Sequence, residues 1–150
     1  MRIGITGSLS SGKSTVAKII AKKKYPLFSA DQIVKNLYST NAFKNKIKKK
    51  LNLKTINVKE DIKIKLLKKE ISLKKLSKII HPYVRKNMFL FFKKHSQKKF
   101  MILEIPLLIE SKLYNYFDLI ILVLSPKKIR LKRYIKNGGQ KKLFNFLDER

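Results

Sequence analysis

Hydrophobic positions in this chain follow two rhythms. Near the N-terminus and again beyond residue 97 they form short, nearly continuous runs: Arg2–Thr6 (RIGIT), Leu27–Ala30 (LFSA), Phe100–Ile105 (FMILEI) and Asp118–Leu124 (DLIILVL). Runs of that length with little alternation predict strands buried on both faces. Between the first two, Lys13–Lys24 has helical spacing and Pro26 stops it. A short helix, Gln32–Leu37, is expected after Asp31. From Gln32 to about Ser96 nothing reads as a strand. Instead Ile62, Ile64, Leu66 and Leu67, then Ile71, Leu73 and Leu76, then Ile79, Ile80, Val84, Met88 and Leu90 recur among lysines. That is the pattern of amphipathic helices. Ser125-Pro126 reads as an N-cap with proline at the first helical position, opening a helix that runs to about Asn137. Gly138-Gly139 ends it. Strands alternating with helices predict an α/β fold: a parallel sheet flanked by helices, with a helical insertion between the second and third strands. A single domain is expected, with a core of about 1–40 and 97–150 and an insertion of about 41–96.

The link between the first strand and the first helix carries chemistry. Residues 7–15 read GSLSSGKST, which satisfies G-x-x-x-x-G-K-[ST] with Gly7, Gly12, Lys13 and Ser14 at the fixed positions. Glycines there let successive N–H groups turn inward around an anion, and the following helix aims its positive end at the same place. Lys13 then reaches the outer phosphates, and the Ser14 hydroxyl can join a Mg²⁺ shell. The strand before the loop and the helix after it are the context this motif requires. The sheet is therefore expected to be of the P-loop NTPase type, and the chain to bind a nucleoside triphosphate.

Composition narrows the setting. Of 150 residues 44% are hydrophobic, enough for a real core, and there is no cysteine for a disulfide or a thiolate metal site. No signal peptide is recognisable at Met1, and no apolar run is long enough to span a bilayer. A cytoplasmic protein is expected. The net charge of +28 would attract polyanions. However, it comes from 32 lysines against five arginines, scattered through every segment. Base and phosphate recognition leans on arginine's planar fork, so biased composition accounts for the charge better than a specific nucleic-acid partner.

In a parallel sheet, ligands gather at the carboxyl ends of the strands. Asp31, after the second strand, suits a general base for an attacking hydroxyl, and equally an N-cap for the next helix. Glu104 reads either as the carboxylate orienting a metal's water shell or as a buried group holding the loop. Arg133, on the helix before Gly138-Gly139, could fold over the phosphates or simply be solvated. His81 alone reads as a helix-start residue before Pro82.

Four segments in order resemble the dephospho-coenzyme A kinase family. RIGITGSLSSGKSTVAKI resembles its opening, SADQIV its D-A-D segment, IIHPYVRKNM its L-H-P-x-[IV]-R stretch, and LEIPLLIES with DLIILVLSPKKIRLKR its V-P-L-L-x-E and strand–helix. The lysine-rich stretch Asn41–Lys75 matches poorly. The resemblance implies transfer of a phosphate from ATP, with Mg²⁺, to the ribose 3′-hydroxyl of dephospho-coenzyme A by a monomer. It implies Ser10, Ser11, Gly12, Lys13, Ser14 and Thr15 around the ATP phosphates, Asp31 as general base, Lys13 and Arg133 as catalytic cations, and His81, Arg85, Pro106, Leu107 and Glu110 as the walls around the substrate. Departures are visible: Ser8 and Ser10 replace loop glycines, Ser29 the first aspartate of D-A-D, Lys59 an arginine, and Asn137 a second arginine beyond Arg133. Relatives are also expected to continue past Arg150. Two other readings stay open: a kinase for another small metabolite, and a nucleotide-binding module without catalysis.

Overall fold

The computed structural model describes every residue except 54–56 and 149–150. The chain divides into two compact units, Met1–Ala30 with Phe89–Arg150, and Asp31–Met88. These seams lie about ten residues before those expected from the sequence.

The first unit contains a four-stranded parallel sheet in the order β2-β3-β1-β4. Its strands are β1 (Arg2–Thr6), β2 (Leu27–Ser29), β3 (Met101–Glu104) and β4 (Leu119–Leu122). Each is shorter than or equal to its apolar run, because pairing stops where the chain leaves the ladder. In register, Ile5 lies between Glu104 and Ile121, and Ser29 is opposite Glu104. Helix α1 (Lys13–Ala21) packs Ala17 and Ala21 onto Ile3, Ile5 and Ile102. The sheet's central strands are buried as expected. β4 is not: it is an edge strand, and Leu119 and Leu122 are exposed.

Several boundaries differ from expectation for local reasons. α1 ends before Pro26 can act, because Lys22 and Lys23 turn left-handed at φ 47° and 54°. Helix α2 (Ala30–Ser39) begins directly on the end of β2, so Asp31 sits in its first turn and is neither a loop residue nor an N-cap. Helix α6 (Lys127–Lys136) has Pro126, not Ser125, at its N-cap. Helix α7 (Lys141–Asp148) follows the Gly138-Gly139 stop and buries Phe144.

The second unit is helical, as the lysine-rich pattern predicts. Helices α3 (Asn41–Leu51) and α4 (Val58–Leu67) each bury one stripe at four-residue spacing, Phe43, Ile47 and Leu51 on one and Val58, Ile62 and Leu66 on the other. Phe43 meets Tyr38 and Tyr83 edge to face. The long helix α5 (Leu73–Lys94) runs through the second seam. Pro82 lies inside it, so His81 is a mid-helix residue and the helix-start reading is wrong.

Candidate active site

The phosphate loop folds around its own lysine. Lys13, buried at the start of α1, donates from Nζ to the Ser8 carbonyl at 2.7 Å. Ser11 N–H closes the loop onto the same carbonyl at 3.2 Å. Gly7 and Gly12 take φ values of +145° and +107°, and Ser10 takes +58° without being glycine. A serine held there carries strain of about 1 kcal/mol or more. The two glycines do what the motif requires, and Ser10 adopts a glycine-like conformation at a cost.

Two arginines of α6 grip the outside of this loop. Arg133 Nη1 donates to the carbonyls of Ser11 at 3.0 Å and Ser10 at 3.5 Å. The arginine the sequence singled out therefore reaches the loop. The sequence reading missed Arg130, one turn earlier and buried, whose Nη1 donates to the Leu9 carbonyl at 3.4 Å. Its Nε donates to Ser125 O at 3.0 Å, and its guanidinium forms a two-point ion pair with Asp148. An arginine standing among lysines was the only sequence signal for it.

Next to the loop, the Ser14 hydroxyl donates to Glu104 Oε1 at 2.6 Å. Glu104 is buried at the carboxyl end of β3, and through this bond it holds the first turn of α1. A hydroxyl paired with a carboxylate is an all-oxygen donor set, which fits a Mg²⁺ ion. Among the described residues no group of three or more metal-ligating side chains occurs, so no all-protein cage is present. Just past β3, the Pro106 carbonyl accepts from Thr6 Oγ1 at 3.0 Å. Pro106 and Leu107 are half-buried in that turn, and Glu110 is exposed.

The remaining predicted residues belong to the second unit. Asp31 is exposed in the first turn of α2. His81 and Arg85 lie one helical turn apart on α5, the first half-buried and the second exposed. Burial holds the His81 imidazole below its ordinary pKa of 6.5, and the Arg85 charge adds to this. It is therefore neutral at pH 7. No described helix is long and apolar enough to cross a membrane.

Comparison with known proteins converges on one family. The model of the dephospho-CoA kinase family matches residues 1–143. A dephospho-CoA kinase of Rickettsia typhi is 35% identical over 140 residues, covering 93% of this chain and 73% of that protein. One from Fusobacterium nucleatum is 34% identical, covering 91% and 72%. Among solved structures, TT1252 from Thermus thermophilus has a TM-score of 0.72 at 24% identity, covering 99% of this chain and 78% of its own. Deoxyadenosine kinase from M. mycoides with bound dATP has a TM-score of 0.52 at 17% identity, covering 99% and 81%. These two show the fold alone, a parallel α/β sheet of the kind found in a nucleoside kinase. Sequence agreement over residues 1–143 decides the matter: this chain belongs to the dephospho-CoA kinase family and is a kinase.

Proposed function

We propose that this enzyme transfers the γ-phosphoryl group of ATP to the ribose 3′-hydroxyl of dephospho-coenzyme A, giving coenzyme A and ADP. The same reading includes Mg²⁺ as the metal and a monomer working in the cytoplasm. The pairing of Ser14 with Glu104 beside a loop that draws in Lys13 carries it, because that pairing sets a hydroxyl and a carboxylate next to the loop where a metal-assisted phosphoryl transfer needs oxygen donors. Ser14 and Glu104 would hold Mg²⁺, whose charge would neutralise that of the ATP phosphates.

In this reading Lys13 and the loop N–H groups hold the ATP phosphates, and Arg133 adds positive charge where negative charge develops in transfer. Asp31 accepts the proton of the 3′-hydroxyl as its oxygen bonds to the γ-phosphorus and the bond to the β-phosphate oxygen breaks. His81 and Arg85, with Pro106, Leu107 and Glu110, hold the coenzyme A portion. Ser29 in place of an aspartate leaves Asp31 as the carboxylate of that segment.

The test is direct. Purified protein with ATP, Mg²⁺ and dephospho-coenzyme A should yield a product heavier by one phosphoryl group, identified by mass spectrometry. Asp31→Asn should retain ATP binding and lose most turnover. No product from the wild-type protein under conditions where ATP binds would overturn the proposal, and unchanged turnover in Asp31→Asn would overturn the base assignment.

A further inference from the structure

The carbonyls of Leu9, Ser10 and Ser11 all turn toward α6, where Arg130 takes the first and Arg133 the other two. In a trans peptide the C=O and the following N–H point in opposite directions. An arginine that fixes the Leu9 carbonyl therefore aims the Ser10 N–H away from α6. This happens at the residue least able to hold its shape unaided, because Ser10 is left-handed at φ 58°. Arg133 is exposed, so its grip competes with water. Arg130 is buried, with three further anchors: the Ser125 carbonyl, the two oxygens of Asp148, and the Phe144 ring 5.7 Å from its guanidinium carbon.

Burying a guanidinium is costly unless a counter-charge meets it. Asp148, nearly buried on α7, supplies that charge. Lys127 Nζ lies 3.7 Å from the same carboxylate. The Arg130 hydrogen bond holds the Asp148 carboxyl below its ordinary pKa of 3.8, so the pair stays ionised at neutral pH. The consequence is a chain of contacts from α7 through Asp148 and Arg130 to the Leu9 carbonyl.

We propose that Arg130, clamped by Asp148, is a positioning residue for the phosphate loop, fixing the Leu9 carbonyl so that the strained Ser10 segment keeps its phosphate-ready shape, and that α7 is thereby part of the nucleotide site. This rests on the loop's role in ATP binding, and the experiment has one arm that does not need it. Amide hydrogen exchange of segment 8–12 and the ATP dissociation constant are measured on the full chain, with a melting temperature for each variant. Arg130→Gln and Asp148→Asn should each speed exchange in that segment while the sheet amides stay protected. Each should also weaken ATP about tenfold, roughly the loss of one charge-assisted hydrogen bond.

Adding Ser10→Gly to Arg130→Gln should recover about threefold of that affinity, because glycine adopts φ 58° without strain. A purely structural role for Arg130 would not be rescued at residue 10. Loop exchange and ATP affinity in Arg130→Gln both within about twofold of wild type would overturn the proposal. So would exchange rising equally across the whole first unit with no rescue by Ser10→Gly. If the wild-type chain bound no ATP, the loop reading itself would fall, and the exchange arm would still decide whether Arg130 braces the loop.

Discussion

Gly7 offers the sharpest test of how the sheet builds the phosphate loop. Replacing it by alanine meets two obstacles that can be separated. The first is conformational: φ is +145°, where side chains are disfavoured, at a cost of about 1–3 kcal/mol. The second is steric. A Cβ at residue 7 would lie 2.3 Å from the Val123 carbonyl oxygen and 3.1 Å from Ser11 Oγ. Relief requires the Val123 carbonyl to retreat by roughly an ångström, and that residue is tied on its other side to Thr6 O by a 2.8 Å hydrogen bond. Losing that bond adds about 1 kcal/mol. The sum is about 2–4 kcal/mol, or roughly 5–15 °C in melting temperature for a chain of this size. Gly138→Ala is the control. Its φ is +81° and nothing lies within 4 Å of the added atom, so only strain of about 1 kcal/mol applies. Both variants would be followed by thermal and urea unfolding. A Gly7→Ala variant no less stable than Gly138→Ala would refute the steric half of the reasoning.

Ser11 Oγ is buried without a hydrogen-bond partner among the described residues, so Ser11→Ala should leave stability unchanged or raise it by about 1 kcal/mol, read from the urea midpoint. A loss of similar size would show that the hydroxyl has a partner. Glu104→Gln keeps an acceptor for Ser14 while removing the charge. The half-saturating Mg²⁺ concentration in the kinase assay should rise about tenfold, with the melting temperature little changed. An unmoved Mg²⁺ dependence would confine Glu104 to holding α1. His81 should titrate below 6.5 by NMR, and Arg85→Gln should move it only part of the way back, because burial is the larger cause. With the folded pKa depressed, the unfolded chain binds the proton more readily. Stability from this group is therefore full above pH 6.5 and falls as the pH drops below it. A midpoint at or above 6.5 would contradict this.

How legible was all this in the sequence? The strands were, because a parallel sheet buried on both faces leaves continuous apolar runs that few other structures produce. The loop was, because its four fixed positions sit between a strand and a helix. The junctions were not. α2 starts on the residue after the end of β2 with no turn residue between, so nothing marked Asp31 as helical. At His81-Pro82 the local rule favours a helix boundary, since proline removes a backbone bond and crowds the preceding turn. The rule fails because Ile79, Val84, Met88 and Phe92 are all buried on one continuing helix. Four buried apolar side chains, at about 1.5–3 kcal/mol each, outweigh the ~3 kcal/mol that an internal proline costs. Arg130 was illegible for a different reason. Its partners, Leu9 and Asp148, lie 121 residues before it and 18 after, and no spacing rule connects them.

Within the charge of this chain, the few arginines are more telling than the many lysines. With 32 lysines, a cationic position in this chain says little about function, since any solvated face accepts one. The five arginines are another matter, because lysine supplies equal charge wherever charge is all that is needed. Arg2 stacks on Phe92 at 4.6 Å, a contact suited to a flat cation. Arg130 makes contacts in three directions at once, to two carbonyls and one carboxylate, and Arg133 spans two adjacent carbonyls. A lysine ammonium at 130 could not present parallel donors to Asp148 while also reaching Leu9 and Ser125. Three of the four described arginines thus stand where planar, multi-donor geometry is required, and two of those hold the phosphate loop. In a chain so rich in lysine, the residue type that geometry demands is more informative than the charge it carries.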